Sequence, residues 1–375
     1  MKKISIAYFG TPDFSAGFLA KILKDKDLPL EVKLVVTQPD RAVGRKQIIT
    51  PSPVKEVAQK YNIDLFAEDK LDNLPEIMKE YEIDLCILFA YGRIIKKELL
   101  ETPRYGFWNV HLSMLPKYRG ASPVIYSLIM GDTKTAATLM KLVEKMDQGP
   151  IVAQKEVEIT PNEKNPELLR KLTDSASEVL RNLFIMGNTK QTDPHEILKQ
   201  VQDDISAQDH TQATYTRLIK KDDGYIPLDV IKKALRNEPL SHDELPTLIK
   251  EYIEKNYSVI PSPSASWRIG FEESPSLSGD SHTRESSPPV SRSRNDNASI
   301  HNSSLLIFNY FRGLYPWPGI WTLLRLPASE GHAPIEKRLK ITDVELAENE
   351  LIIKKVQLEG KQEINFDDFK QKYFL

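Results

Sequence analysis

Short apolar runs alternating with stretches of helical spacing most constrain what this chain can fold into. Lys3 to Phe9, Glu31 to Gln38, Ile63 to Phe66, Ile83 to Ala90 and Gly106 to His111 read as strands. The second is rich in Val and Leu, as a parallel strand buried on both faces should be. Between them lie helical patterns. Phe18, Leu19, Ile22 and Leu23 share one face, Val54, Val57 and Ala58 a second, and a third helix is expected near Leu74 to Tyr81. Ser52-Pro53 reads as an N-cap followed by proline at the first helical position. A helix over Ser122 to Met130, a strand over Thr138 to Val143, a strand over Ile151 to Ile159 and a helix over Pro166 to Phe184 follow. The alternation predicts right-handed βαβ units and hence an α/β fold: a Rossmann-like parallel sheet covered by helices.

A length of 375 residues points to two domains. A formal charge of -2 argues against a broadly basic surface, so nucleic acid would be met by a local patch. The single cysteine, Cys86, sits in an apolar run and reads as a small buried hydrophobe. No CxxC or His/Cys cluster is present, so no metal is expected. The basic start at Met1-Lys2-Lys3 is not followed by an unbroken signal-type apolar stretch, and no uncharged run of about 18 residues exists. The expectation is a soluble, cytoplasmic protein without a membrane span, working as a monomer.

Asn109 and His111 are two residues apart at the end of a strand, so their side chains project to the same side, roughly 6–7 Å apart along it. A lone histidine at a strand end is more often capped or exposed than catalytic. Its surroundings change that reading. Pro116 to Pro123 forms a stiff basic turn in which Gly120 is free to take positive φ. The strand-like run at Thr138 leads to a second polar turn, Met146-Asp147-Gln148-Gly149-Pro150. In open α/β sheets ligands bind at the carboxyl ends of strands, so an amide, an imidazole and a carboxylate are expected to converge there. Gly10-Thr11-Pro12 lacks the second and third glycines of a dinucleotide fingerprint, and no GxxxxGK[ST] is present, which argues against a nicotinamide or P-loop enzyme.

Gly10-Thr11-Pro12-Asp13-Phe14, Thr37-Gln38-Pro39-Asp40-Arg41, Pro51-Ser52-Pro53-Val54-Lys55, Ala90-Tyr91-Gly92, Asn109-Val110-His111 with Leu115-Pro116, and Asp147-Gln148-Gly149 occur in this order. Together they resemble the methionyl-tRNA formyltransferases, over about residues 1–228 and again, less closely, over 305–375. The Asn/His/Asp trio is shared by the wider folate-dependent formyltransferases, which act on glycinamide ribonucleotide or on amino-sugar nucleotides. The resemblance implies a formyltransferase fold and transfer of formyl from 10-formyltetrahydrofolate to the α-amine of methionine on initiator tRNA. It implies catalytic roles for Asn109, His111 and Asp147. It places the folate co-substrate against Phe89, Ala90, Tyr91, Gly92 and Ile94, and against Ser113, Leu115 and Pro116. The loop over Pro39 to Thr50 matches one that meets the acceptor end of tRNA, with Arg41, Arg45 and Lys46 as contacts and Lys117 and Arg119 adding to a basic rim. Here Lys46-Gln47-Ile48 stands where the family carries a Gly-Lys-Lys run.

Three expected parts follow: a catalytic domain over 1–190, a polar linker over 191–212, and a second domain over 213–375. Pro316-Trp317-Pro318 matches an element of the family's second domain, a small OB-like β-barrel that braces the tRNA. Leu305 to Leu314 reads as an amphipathic helix, and Lys337 to Val344, Leu351 to Leu358 and Gln362 to Ile364 as strands. About 229–304 interrupts this domain. Its first part carries helical spacing at Val230, Ile231, Ala234 and Leu235 and at Leu248, Ile249, Tyr252 and Ile253. Residues 261–304 are rich in Ser and Pro and are expected to be disordered. The alternatives are a formyltransferase for an amino-sugar nucleotide or other small amine, and a non-catalytic RNA-binding relative. The basic loop and the second domain favour tRNA, because neither is needed for a small acceptor.

Overall fold

The computed structural model describes residues 3–44, 46–185, 193–257, 299–300, 302–326 and 335–373. The chain divides into two units. The first comprises Met1–Val124, Lys134–Ile159 and Pro166–Leu218; the second takes Ile125–Thr133, Thr160–Asn165 and Ile219–Leu375.

The first unit is built on a seven-stranded sheet. Its order is Ile151–Glu158, Lys134–Lys141, Phe107–His111, Leu85–Phe89, Ile4–Gly10, Leu30–Val36 and Asp64–Phe66. The strand at Ile4–Gly10 is buried at every position, as a central strand covered on both faces must be. The sheet is parallel from Phe107–His111 through Asp64–Phe66. It departs from the all-parallel expectation at one edge, where Lys134–Lys141 runs antiparallel to Phe107–His111 and Ile151–Glu158 antiparallel to that. Asp147 therefore lies on the connection between two antiparallel strands rather than after a parallel one. The Ser52 hydroxyl caps its helix by accepting from the Lys55 amide at 3.0 Å, with Pro53 at the first position.

Residues 191–212 were expected to be a polar linker. Among those described, Pro194–Asp204 is a helix capped by Asp193. Ile197 and Leu198 are buried, and the stretch belongs to the first unit. Two apolar residues among many polar ones suffice to dock a helix, which is why composition alone misread it. Beyond it, Ser206 and Ile151 exchange backbone hydrogen bonds of 3.0 and 2.8 Å.

The second unit contains an antiparallel four-stranded sheet, in the order Ile320–Leu326, Ile335–Ala347, Glu350–Leu358 and Glu363–Asn365. Against it lies the helix Ser303–Leu314, in which Leu305 is the one residue not buried. It is a core helix rather than an amphipathic one. Its Arg312 guanidinium is lowered to about 10 by burial. That group donates to the Thr160 and Glu163 carbonyls at 3.2 and 3.3 Å and to Asn309 Oδ1 at 2.6 Å. The helices Leu228–Leu235 and Thr247–Asn256 bury Val230, Ile231, Ala234, Leu248, Ile249, Tyr252 and Ile253. The stretch expected to begin an interruption thus supplies part of this unit's core. The expectation of disorder over 261–304 falls mainly outside the described residues. At its end Ser299–Ile300 pairs with Leu240–Ser241, and Ser303 and Ser304 open the core helix, with Ser304 Oγ donating to the Ala234 carbonyl at 2.6 Å.

Among the described residues, no helix is long and apolar enough to cross a membrane. No group of three or more His, Cys, Asp and Glu side chains among them is placed to hold a metal.

Candidate active site

The strand Phe107–His111 presents Asn109 and His111 to one side, and the Asp147 loop folds over them. Asn109 Nδ2 lies 3.5 Å from Asp147 Oδ1, and His111 Nδ1 lies 3.8 Å from Asp147 Oδ2. All three residues are buried. The carboxylate also accepts the Gly120 amide at 2.7 Å. His111 Nε2 lies 3.0 Å from the Tyr118 carbonyl, an oxygen that can only accept, so Nε2 carries a proton and Nδ1 is the edge turned toward the carboxylate. Titratable group, amide donor and carboxylate are thus grouped by residues 109, 111 and 147 within one unit.

Backbone conformation marks the same place. Ala90, Tyr118 and Asp147 adopt left-handed φ of 53°, 60° and 51° without being glycine. Such residues persist only where their surroundings over-determine them, and they cluster at functional sites. The surroundings here are visible. Gly120 has φ of 113°, and a Cβ there would lie 2.5 Å from the Thr216 carbonyl oxygen. Residues 119–120 pair with Tyr215–Thr216 as short parallel strands, and the Tyr118 amide donates to Thr214 Oγ1 at 2.9 Å.

The motifs near the N-terminus act as posts for the turn after Leu85–Phe89. Thr11 Oγ1 and Gln38 Nε2 both donate to the Tyr91 carbonyl, at 3.0 and 2.7 Å, and Ser15 Oγ donates to the Phe89 carbonyl at 2.7 Å. Gly92 has φ of 80°, and a Cβ on it would meet Gln38 Nε2 at 2.6 Å. The expected folate contacts therefore divide. The Phe89 ring packs on Phe14 and Phe18, and the Tyr91 ring on Phe9, so both side chains belong to the core. Ser113 is fully buried, with its hydroxyl donating to the Lys117 carbonyl at 2.7 Å. Leu115 is buried, and its carbonyl accepts from Gln154 Nε2 at 3.3 Å. Pro116 is partly buried, and Gly92 is open to solvent. Ile94 is 87% exposed and lines a cavity of about 670 Å³ with Arg93, Lys96, Leu99 and Pro75.

The expected tRNA contacts divide as well. Arg41–Val43 pairs antiparallel with Ile48–Thr50, and both strands are exposed, so the expected loop carries a hairpin. Arg41 and Lys46 are exposed on it; Arg45 lies outside the described residues. Val43, Ile48 and Ile49 are 56%, 60% and 67% exposed, so the hairpin offers apolar as well as basic surface. At its base Lys55 and Asp40 form an ion pair of 2.8 Å. Lys117 is exposed. Arg119 is not on a basic rim: it is fully buried. Its Nε and Nη2 donate to Gln208 Oε1 at 3.0 and 2.7 Å, and Nη1 donates to the Tyr215 hydroxyl at 3.1 Å. A guanidinium held this way cannot reach a phosphate.

Sequence reasoning missed Gln208, His210 and Tyr215, which surround Arg119. The one available signal was the alternating run Thr214-Tyr215-Thr216, a short strand beside the turn.

An α/β sheet that gathers an amide, an imidazole and a carboxylate, without a dinucleotide fingerprint, has the form of an acyl-transfer enzyme. The formyl transferase family matches the chain over residues 2–183. A methionyl-tRNA formyltransferase from Caldicellulosiruptor saccharolyticus is 38% identical over 238 residues, 62% of this chain and 71% of that protein. One from Thermotoga maritima is 33% identical over 243 residues, 64% of this chain and 73% of that protein. Among solved structures, a 4-N formyltransferase from Francisella tularensis aligns with a TM-score of 0.48 and 13% identity, over 90% of this chain and 97% of its own. The chain belongs to the methionyl-tRNA formyltransferase family.

Proposed function

We propose that this enzyme transfers a formyl group from 10-formyltetrahydrofolate to the α-amino group of methionine on initiator tRNA, for translation initiation. The observation that carries the formyl-transfer chemistry is the gathering of Asn109 and His111 at the Asp147 carboxylate, with the Asn109 amide 3.5 Å and the His111 Nδ1 3.8 Å from it. The neutral amine attacks the formyl carbon, and negative charge develops on the formyl oxygen. Asn109 donates an N–H to that oxygen, and His111, with a second proton on Nδ1, supports the same charge. Asp147 orients the imidazole and relays the proton lost by the amine, which ends on the folate nitrogen as the carbon–nitrogen bond to it breaks.

The folate is assigned to the turn over Phe89 to Ile94 and the segment Ser113 to Pro116. Because Phe89, Tyr91, Ser113 and Leu115 have their side chains buried, backbone groups and Gly92 and Ile94 are the parts that meet it. The hairpin over 41–50 is assigned to the acceptor end of the tRNA, with Arg41, Arg45, Lys46 and Lys117 as the basic contacts.

The deciding measurement supplies 10-formyltetrahydrofolate with charged initiator tRNA, a dTDP-amino sugar or a free amine, and follows the formylated product. Formylation of Met-tRNA is expected. Formylation of the sugar nucleotide alone would replace this reading with the small-acceptor one. RNA binding without any transfer would make the chain a non-catalytic relative. The double change Arg41→Ala and Lys46→Ala is expected to raise KM for Met-tRNA about tenfold, from two lost charge-assisted contacts. It should leave the KM for folate near its starting value; an equal rise in both would remove the hairpin from acceptor recognition.

A further inference from the structure

We propose that Gln208 and Arg119 are positioning residues, forming a buried clamp that sets the loop carrying Asp147 for the formyl transfer proposed above, on which this inference rests. The Gln208 amide is buried and makes four hydrogen bonds. Its Oε1 accepts from Arg119 Nε and Nη2 at 3.0 and 2.7 Å, and its Nε2 donates to the Asp147 and Gly149 carbonyls at 2.9 and 2.7 Å. The orientation of this amide is dictated by its neighbours: a guanidinium only donates and carbonyls only accept. With its oxygen captured by Arg119, the Gln208 NH2 group has to face the loop. It grips the loop on both sides of Gln148, and this holds Asp147 in its left-handed conformation.

Arg119 controls the carboxylate by a second route. The next residue, Gly120, donates its amide to Asp147 Oδ2 at 2.7 Å. Arg119 is itself fixed, because its amide donates to the Thr214 carbonyl at 2.8 Å and its carbonyl accepts from Thr216 Oγ1 at 3.2 Å. His210 Nδ1 and the Tyr215 hydroxyl lie 2.9 and 3.1 Å from the guanidinium. One buried cation therefore sets the Asp147 backbone through Gln208 and the Asp147 carboxylate through Gly120. Such control matters because misplacing a reacting group by about 1 Å can cost on the order of 100-fold in rate.

Gln208→Glu tests the clamp in the full-length enzyme. Glutamate keeps the volume and the acceptor for Arg119, but turns an oxygen toward two carbonyl oxygens. The expected result is a kcat about 10- to 100-fold lower, with KM for both substrates within about threefold and the melting temperature little changed. The second reading is the Gly120 amide resonance. Labelling with 13C-arginine and 15N-glycine selects two pairs in this sequence, Arg119-Gly120 and Arg312-Gly313. The Gly120 signal is expected to move upfield as its bond to Asp147 lengthens. An unchanged kcat with an unmoved Gly120 signal overturns the proposal. So does an activity loss that only follows the lost folded fraction. Arg119→Lys, which removes the fork but keeps a charge, is expected to give the same split and decides the question if Gln208→Glu does not fold. Wild-type inactivity toward Met-tRNA counts against the proposed function alone, with the Gly120 signal still deciding the clamp.

Discussion

Asp147→Asn is expected to lower kcat for formyl transfer by roughly 100- to 1,000-fold, about 3–4 kcal/mol of barrier, the scale for losing one preorganised electrostatic partner. An asparagine oxygen still accepts the Gly120 amide and the Gln208 bonds to the loop backbone are untouched, so the fold is retained. What disappears is the charge beside His111 and the acceptor for the amine proton. His111→Ala is expected to cost at least as much. Stopped assays with 10-formyltetrahydrofolate and Met-tRNA, paired with thermal unfolding of each variant, give both numbers. Full activity in His111→Ala would remove the imidazole from the mechanism.

The second large effect comes from a position with no side chain. A Cβ on Gly149 would lie 1.7 Å from the Lys141 carbonyl oxygen and 2.9 Å from its carbon. Lys141 cannot give way easily, since its amide bonds the Pro150 carbonyl at 2.9 Å and it sits opposite Trp108 in the sheet. Gly149→Ala must therefore displace the loop, and Gln148 and Asp147 move with it. A stability loss of about 3 kcal/mol is expected in chemical denaturation, at the upper end for overpacking. The remaining folded protein should still transfer formyl far more slowly than wild type. An alanine variant with wild-type stability and rate would show that the loop has room the structure denies it.

The parts that could be read from the sequence were those written in local patterns. Strands buried on both faces advertise themselves as apolar runs, and the spacing of Asn109 and His111 puts both on one side of a strand by geometry alone. Ser52-Pro53 carried its cap in two letters. The unread parts depend on partners far along the chain. Arg119 reads as a surface charge because burying a cation is costly, and partners far along the chain, Gln208, His210 and Tyr215, make that burial tolerable. The helix Pro194–Asp204 was hidden by its polar composition, since Ile197 and Leu198 gain meaning only from the surface they cover. The antiparallel edge was equally invisible, because a run of apolar residues does not state which way its neighbour runs.

The pairing of residues 119–120 with Tyr215–Thr216 has a consequence for how the enzyme is made. The last strand of the central sheet ends at Glu158, yet the Asp147 loop has no Gln208 to hold it, and the turn at Gly120 has no Thr216, until those residues have left the ribosome. At roughly 10 residues per second, the nascent chain spends roughly 5 s with its sheet available and its candidate site unfinished. During vectorial synthesis, acquisition of the sheet and completion of the candidate site are therefore separate events, and the second waits on a segment that contributes no strand to the central sheet.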